Sequence, residues 1–216
     1  MSEFPRTPRN RVKRLPKRAQ YDREPVYAVV DSAPICHVGF VQDGQPFVIP
    51  TIHARIGDTL IIHGSTASRM MKHLGSGAEL CVTVTHLDGL VLARSAFHHS
   101  MNYRSAVLFG RGENITDQAE KLDALKAVSE HLAPGRWADV RQPSTQELKA
   151  TTVVRMPIES ASMKSRTGGP IDDEADYALE VWAGVLPIAL RAGALQADAR
   201  LDVSIPAPRY LEVLQH

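Results

Sequence analysis

The stretch Thr59-Leu-Ile-Ile-His-Gly-Ser-Thr-Ala-Ser-Arg-Met-Met-Lys72 predicts a short apolar strand that leads directly into a helix. Ser65 is a good N-cap for a helix that would run to about Leu74 and stop at a following glycine. Such a junction offers backbone N–H groups, the positive end of a helix dipole, hydroxyl donors and two cations one turn apart, Arg69 and Lys72. These groups hold a phosphate in many proteins. The alternative is an ordinary capped surface helix whose two cations are solvated.

The sequence on both sides of this junction is typical of antiparallel β structure. Residues 35–41 and 46–52 flank Asp43-Gly44, and residues 79–87 and 90–97 flank a second Asp-Gly pair, so two hairpins are predicted. With residues 58–62 and 104–110, six β segments fall within about 75 residues and favour a barrel over alternating βα units.

Helical patterns lie at the edges of these strands. Residues 22–33 predict a short helix, and residues 117–132 carry apolar side chains at spacings of three and four. Ser144 and Glu147 form a capping pattern for one more short helix. Residues 151–158 are β-branched and should return to the barrel, for six or seven strands in all, whereas residues 163–173 are predicted to form a loop.

Composition excludes several classes of protein. The chain has 216 residues, a formal net charge of +1 and two cysteines that both lie in apolar runs, which favours one medium domain in a reducing compartment. The balanced charge gives no reason to expect nucleic acid or a membrane as a partner. No apolar run approaches about 20 residues and no signal-peptide h-region follows the basic N-terminus, so a cytoplasmic location is expected.

Three segments are predicted. Residues 1–20 form a basic, proline-rich arm that either binds polyanions or lies over its own domain or a partner subunit. Residues 21–190 form the barrel domain, and residues 191–216 form an irregular tail.

Common catalytic motifs are missing from the sequence. The cysteines are too far apart for a zinc site, and Gly110-Arg111-Gly112 lacks the third glycine of a dinucleotide fingerprint. No Walker loop or Gly-x-Ser-x-Gly elbow is present, which disfavours hydrolases and nucleotide-triphosphate enzymes.

The order of three segments resembles the pyridoxamine 5′-phosphate oxidase-like family of FMN-binding split barrels. The segments are Ile49-Pro-Thr51, the His-Gly-Ser-x-x-Ser-Arg-x-x-Lys turn at 63–72, and Ser100-Met-Asn-Tyr-Arg-Ser-Ala-Val-Leu-Phe-Gly110. The resemblance covers roughly residues 20–160 and includes 5-nitroimidazole-resistance proteins, while the tail is similar to a flavin-nucleotide-binding branch. It implies a mainly β split barrel, an FMN cofactor and a homodimer with FMN at the subunit interface.

The resemblance also implies roles for individual residues. Ser65, Ser68, Arg69 and Lys72 would hold the FMN phosphate, and backbone groups at Ile49, Pro50 and Thr51 would edge the isoalloxazine ring. His63 is the candidate catalytic residue, because its ring could reach the flavin or a substrate, although it could equally be a hydrogen-bonded barrel histidine. Asn102, Tyr103 and Arg104 would approach the flavin of the other subunit, or else pack at a strand end. Other side chains could close the pocket, although a solvated loop and a core or interface tryptophan are the simpler interpretation for them: Lys164, Arg166 and Trp182.

The leading functional hypothesis is an FMN-dependent oxidoreductase in which the flavin supplies the chemistry. One alternative is a flavin carrier or sensor without turnover. Another is a split barrel that binds a different planar ligand such as haem, with His63 or His98 as axial ligand. Oxidases of pyridoxamine phosphate carry a C-terminal Arg-x-His pair, whereas this tail has Arg209-Tyr-Leu, so vitamin B6 oxidase activity is not expected.

Overall fold

A computed structural model describes residues 3–211, and nine strands and five α-helices lie in that range. The strands are β1 (Ala19–Gln20), β2 (Ile35–Gln42), β3 (Gln45–Ile56), β4 (Thr59–Ser65), β5 (Ser76–Leu92), β6 (Ser100–Asn114), β7 (Thr151–Pro157), β8 (Ser160–Arg166) and β9 (Gly184–Pro187). The helices are α1 (Arg23–Asp31), α2 (Arg69–Leu74), α3 (Gln118–Leu132), α4 (Arg136–Asp139) and α5 (Thr145–Ala150). Four 3₁₀ helices complete the elements: Pro16–Arg18, Ala96–His98, Glu174–Ala178 and Arg209–Leu211.

All strand pairs are antiparallel, and six strands close into a ring. The sheet runs β1-β8-β6-β7-β4-β3-β2-β5-β9, and an additional pairing of β6 with β5 joins the two arms. The ring is therefore β6-β7-β4-β3-β2-β5, and the predicted mainly β split-barrel fold is confirmed.

The barrel is split between β3 and β4. Their paired register runs from Ile56–Thr59 to His53–Ile62 and then ends. Beyond that point residues 45–52 of β3 pair with β2, and residues 63–65 of β4 pair with β7. The two strands therefore diverge, and the split has two lips: residues 49–52 on β3 and residues 63–65 on β4.

Apolar side chains fill two clusters on opposite faces of the sheet. The barrel interior is packed with buried side chains from α1, α2 and the barrel strands, among them Val38, Leu60, Val82, Leu108 and Met156. A second cluster lies outside the barrel under α3, where Ala124 and Val128 of the helix meet Ala54, Ile61 and Val153 of the strands. Because side chains alternate along a strand, Ile61 faces α3 while its neighbours in β4 face the interior.

Several predicted elements are confirmed. The Asp43-Gly44 hairpin joins β2 to β3 with φ of 53° and 76° at the two residues, as a tight two-residue turn requires. Helices α1 and α3 match the predicted helical segments. A complete capping box between Ser144 and Glu147 begins α5.

Two predictions about strands are wrong. No hairpin forms at Asp88-Gly89, because β5 is one continuous strand that pairs with β6 along its length and has only a register shift between Leu87 and Gly89. The predicted loop at 163–173 begins with four residues of β8, a strand that the apolar pattern did not reveal. Six or seven strands were expected. The described part of the sheet has nine, because β8, β9 and the two-residue strand β1 add to the six strands of the ring.

The described part of the basic arm lies against its own barrel. Phe4 is buried, and the Asn10 side chain donates a 2.9 Å hydrogen bond to the Ala161 carbonyl of β8. The described part of the tail is largely exposed, and Val203 is open to solvent. Residues 1–2 of the predicted arm and 212–216 of the predicted tail lie outside the described residues. The division at residues 20 and 190 stays a prediction.

Across residues 3–211, none of the helices combines the length and the apolar character that a membrane crossing requires.

Candidate functional site

Helix α2 begins three residues later than the sequence suggests. Ser68, not Ser65, is its N-cap, and the Ser68 hydroxyl accepts a 3.4 Å hydrogen bond from the Met71 N–H. The prediction for Ser65 is wrong because strand β4 continues through Gly64 to Ser65 and pairs with β7 up to Thr151. The predicted end of the helix at Leu74, followed by Gly75, is confirmed.

The turn before α2 uses its backbone donors internally. The Thr66 N–H bonds the Ala150 carbonyl at 3.0 Å, the Ala67 N–H bonds the Ser65 hydroxyl at 3.2 Å, and the Ser68 N–H bonds the Ser65 carbonyl at 2.9 Å. These three N–H groups, which the sequence suggested as phosphate donors, are therefore not available to a ligand. The Ser65 and Ser68 hydroxyls accept hydrogen bonds here and keep their own O–H donors.

A cavity of about 430 Å³ opens at this turn, and cationic side chains converge on it. Its lining consists of Gln42, Ala67, Arg69, Lys72, His73 and Ser76. We call it the α2 cavity. Arg69 lies over the Phe47 ring, with its guanidinium carbon 4.5 Å from the ring centroid, so an aromatic face holds the cation at the cavity.

Two buried polar atoms of the α2 cavity have no hydrogen-bond partner among the described residues. They are Oε1 of Gln42 and Nε2 of His73. The His73 ring is held 5.1 Å from the Phe40 ring, which in turn stacks on Phe47 at 5.4 Å. Buried polar atoms are normally bonded, so these two atoms lack the partners that folded proteins usually provide.

Sequence reasoning missed both of these residues. His73 is four residues after Arg69 and so shares its helix face, a signal that was available. Gln42 comes from the end of β2, and only the fold brings it to α2.

The predicted flavin-edging residues lie on the β3 lip of the split. Ile49 is half-buried against the barrel core, whereas Pro50 is exposed, and the three residues from Ile49 to Thr51 pair with β2. Continuing the β3–β4 register past His53–Ile62 would bring Thr51 opposite Gly64, so this lip faces the segment that leads into the α2 cavity.

His63 lies in a different cavity from Arg69 and Lys72. Its side chain is on the outer face of β4, as is Ile61, and it lines a cavity of about 440 Å³ between the sheet and α3. We call this the α3 cavity. Its other lining residues are Ile52, Leu125, Val128, Ser129, Leu132, Trp137, Arg141, Pro143, Glu147 and Thr151. Nδ1 of His63 is buried and has no partner within residues 3–211, and burial lowers the pKa of the ring, which favours neutral imidazole.

Asn102 and Arg166 form a structural unit. The Asn102 side chain accepts from Arg166 Nη1 and donates to the Gly168 carbonyl at 3.1 Å. Arg166 also donates to the carbonyls of Gly168 at 3.0 Å and Gly169 at 2.8 Å. The two side chains therefore fix the loop that follows β8.

Arg104 lines a third cavity, of about 710 Å³, together with His37, His86 and Asp88. Its guanidinium makes two hydrogen bonds to the Asp88 carboxylate. Tyr103 is half-buried beside it and pairs with Leu87 and Arg166 across the neighbouring strands. The residues expected at the flavin of a second subunit are thus on a different part of the barrel from α2.

The remaining candidates are peripheral. His98 lies 3.4 Å from the Asp173 carboxylate, and with Asp176 the two could approach a cation, but all three are on the surface. Trp182 is exposed, and Lys164 is a half-buried residue of β8 that pairs with Ala19 and Ser105. The candidate residues of the split-barrel site therefore fall into separate groups within one chain.

Comparison with known proteins identifies a family and solved structures that this chain resembles. The family model described as "Pyridoxamine 5′-phosphate oxidase" matches residues 22–165. Curated proteins gave no significant match.

Two solved structures are similar over nearly the whole chain. The flavocytochrome Anf3 from Azotobacter vinelandii is 42% identical, covers 99% of both chains and has a TM-score of 0.92. The FAD and heme binding protein from Mycobacterium smegmatis is 37% identical, with 92% of this chain and 97% of that chain covered and a TM-score of 0.88. A putative 5-nitroimidazole antibiotic resistance protein from Bacteroides thetaiotaomicron shares the fold at 24% identity, with 68% and 85% coverage and a TM-score of 0.56.

The family match spans most of the barrel, and the two longer similarities cover 99% and 92% of the chain. On these grounds the chain belongs to the pyridoxamine 5′-phosphate oxidase-like family of flavin-binding split barrels.

Proposed function

We propose that the protein is a flavin-dependent oxidoreductase and that the α2 cavity holds the phosphate of the flavin nucleotide. The observation that carries this proposal is that Arg69 and Lys72 line one cavity together with His73, whose buried Nε2 has no partner among the described residues and can donate to a phosphate oxygen in the Nε2–H tautomer. Arg69 offers a planar fork and Lys72 a point charge, the two standard ways of binding phosphate.

The split between β3 and β4 supports a position for the flavin ring at the β3 lip. A planar ring that leaves the α2 cavity meets the β3 lip, where Ile49, Pro50 and Thr51 present a strand edge that pairs with no strand on the β4 side. Pro50 lacks an N–H donor, so a ligand rather than a strand is suited to this edge. Bound flavin would supply the electron-transfer chemistry, while the chain binds and orients it.

The proposal includes a homodimer with the flavin at the interface. The outer face of the β2–β3 hairpin exposes Ile35, Val41 and Val48, the last with 69% of its surface open. An apolar face of this kind is suited to a second subunit.

Haem is the second candidate cofactor. Two relatives at 42% and 37% identity are described as a flavocytochrome and as an FAD and heme binding protein. The α3 cavity, with mostly apolar walls and one histidine, has the composition that a haem pocket needs.

The absorption spectrum of the purified protein tests both cofactors. Flavin bands after reconstitution with FMN or FAD, and a Soret band after reconstitution with haem, are the expected results. Titrating the apoprotein with each flavin separately decides between FMN and FAD.

The Arg69→Ala variant tests the phosphate site. Loss of a charge-assisted contact costs about 1.5–3 kcal/mol, so flavin affinity should fall roughly 10- to 100-fold. Lys126→Ala, on the exposed face of α3, is the matched control and should bind flavin normally. An Arg69→Ala protein that keeps its flavin through extensive dialysis would place the phosphate elsewhere.

A further inference from the structure

The α3 cavity has a volume and a lining that suit a bound cofactor. Its floor is the outer face of β3 and β4 at Ile52 and His63, and its roof is one face of α3. Apolar groups make up most of the wall, namely Ile52, Leu125, Val128, Leu132, Trp137 and Pro143. A volume of about 440 Å³ is within the range of cofactor and ligand pockets, roughly 300–1,000 Å³.

His63 is the polar group at the floor of this cavity. Strand alternation points it away from the barrel interior, beside Ile61, and toward α3. Nδ1 is buried and has no partner among the described residues, so the ring has a nitrogen whose bonding capacity no described group meets. A neutral imidazole has the lone pair that a metal ion requires.

The cavity contains one side chain of the types that ligate haem iron. Haem iron is held by histidine, cysteine, methionine or tyrosine side chains, and among the described residues that line the α3 cavity only His63 belongs to this group. Arg141 is the cation of the lining, and it binds the Glu147 carboxylate through two hydrogen bonds of 2.9 Å and 2.7 Å. A propionate could compete for this guanidinium as a second carboxylate.

We propose that His63 is an axial ligand of a haem bound in the α3 cavity, with Arg141 as the partner of a haem propionate. The inference rests on the proposed haem-binding function and assigns its site. His63 and Ser65 are two residues apart on the same face of β4, so the haem would lie beside the lip that leads to the α2 cavity and its flavin.

Other histidines are less suited to this role. His98 faces the Asp173 carboxylate at the surface. His86 lines the largest of the three cavities, but its Nε2 is within 3.0 Å of the Ser32 hydroxyl and 3.3 Å of the Val29 carbonyl. His53 is completely buried, and its Nε2 is 3.0 Å from the Val30 carbonyl.

Haem titration of the full-length protein tests the assignment without any activity assay. The haem-to-protein ratio and the ferric and ferrous absorption spectra are measured for the wild type and for His63→Gly. We expect the variant to lose its haem on gel filtration, and added imidazole to restore the wild-type Soret band by entering the space that the ring vacated. His98→Ala is the matched control and should bind haem with an unchanged spectrum.

A second variant separates ligation from folding. The Leu125→Trp substitution fills the α3 cavity and leaves His63 in the sequence. Haem should therefore be excluded, and retention of the flavin would show that the barrel is folded. If His63→Gly and Leu125→Trp both bind haem with the wild-type spectrum, the assignment to this cavity is wrong and the haem-binding function stands. If the wild type binds no haem, the haem part of the proposed function fails, and the ligand assignment fails with it.

Discussion

Arg104 and Asp88 form a two-point ion pair across the β5–β6 ladder, with Nε–Oδ2 at 3.0 Å and Nη2–Oδ1 at 2.8 Å. The pair explains why Asp88-Gly89 does not form a turn: the carboxylate is bound to the neighbouring strand, and Leu186 and Pro187 of β9 lie against Gly89. The pair uses Nε and Nη2 of Arg104, two of the three nitrogens of the guanidinium group.

Replacing Asp88 by asparagine should destabilise the protein in a pH-dependent way. Arg104 lowers the pKa of Asp88, so the carboxylate contributes stability above the unfolded-state pKa and loses it as the pH falls through the folded-state value. Because both side chains are about one-third or more exposed, we expect a loss of only about 0.5–1 kcal/mol at pH 7. Urea unfolding of both proteins between pH 7 and pH 3 measures it. A difference that stays constant over that range would contradict the ion-pair explanation.

Gly112→Ala should strongly destabilise the barrel. A Cβ at Gly112 would lie 2.2 Å from the Leu74 carbonyl oxygen, where the end of α2 crosses β6. Backbone at this position cannot give way as a flexible side chain can, so we expect a cost of about 1–3 kcal/mol or more. Thermal unfolding measures the cost, and Gly169→Ala, with open space around its Cβ, is the control that should change little.

Gln42→Leu should change stability and flavin affinity in opposite directions. The buried Oε1 of Gln42 has no partner among the described residues, so an apolar side chain of similar size removes a desolvation cost of about 1–3 kcal/mol and should raise the melting temperature of the apoprotein. The same change removes the Nε2 amide donor, the part of the Gln42 side chain that can bond a phosphate oxygen, and should weaken flavin binding. Calorimetry and flavin titration measure the two effects. Gln20→Leu, at an exposed position of β1, is the control and should leave flavin affinity unchanged.

Asn102→Ala should loosen the loop after β8. Arg166 loses one acceptor and the Gly168 carbonyl loses a donor, which we expect to cost about 1–2 kcal/mol. Amide hydrogen exchange of residues 167–169 should become faster. Thr85→Ala, which removes a hydroxyl pair with Ser105, is the control for exchange in that loop. Weaker flavin binding without faster exchange would instead favour the contact role that the family resemblance implies.

The sequence predicted those parts of the fold that local chemistry decides. Asp43-Gly44 adopts the positive φ angles that a two-residue hairpin needs, and Ser144 with Glu147 forms the capping box. Asp88-Gly89 carries the same turn signal, but pairing along the whole of β5 overrides it. Strand β8 was missed because only Ala161 and Met163 face the barrel interior, and the buried residues that alternate with them, Ser160 and Ser162, are polar.

Prediction of the candidate site was likewise limited to features that residues close together in the sequence decide. Arg69 and Lys72 could be identified because they share a short helix with a serine cap. Their relation to Gln42 depends on the packing of α2 against the end of the β2–β3 hairpin, and the separation of His63 from them depends on which face of β4 it occupies. The spacing of these residues along the chain predicts neither of these two spatial arrangements.

The divergence of β3 and β4 has a consequence for how the protein is assembled in the cell. The strands that close the ring complete their pairing without any contribution from the two diverging edges. We therefore expect the polypeptide to reach its native form without the proposed cofactor, so that supply of the cofactor, rather than maturation of the chain, would limit the fraction of the protein that carries it.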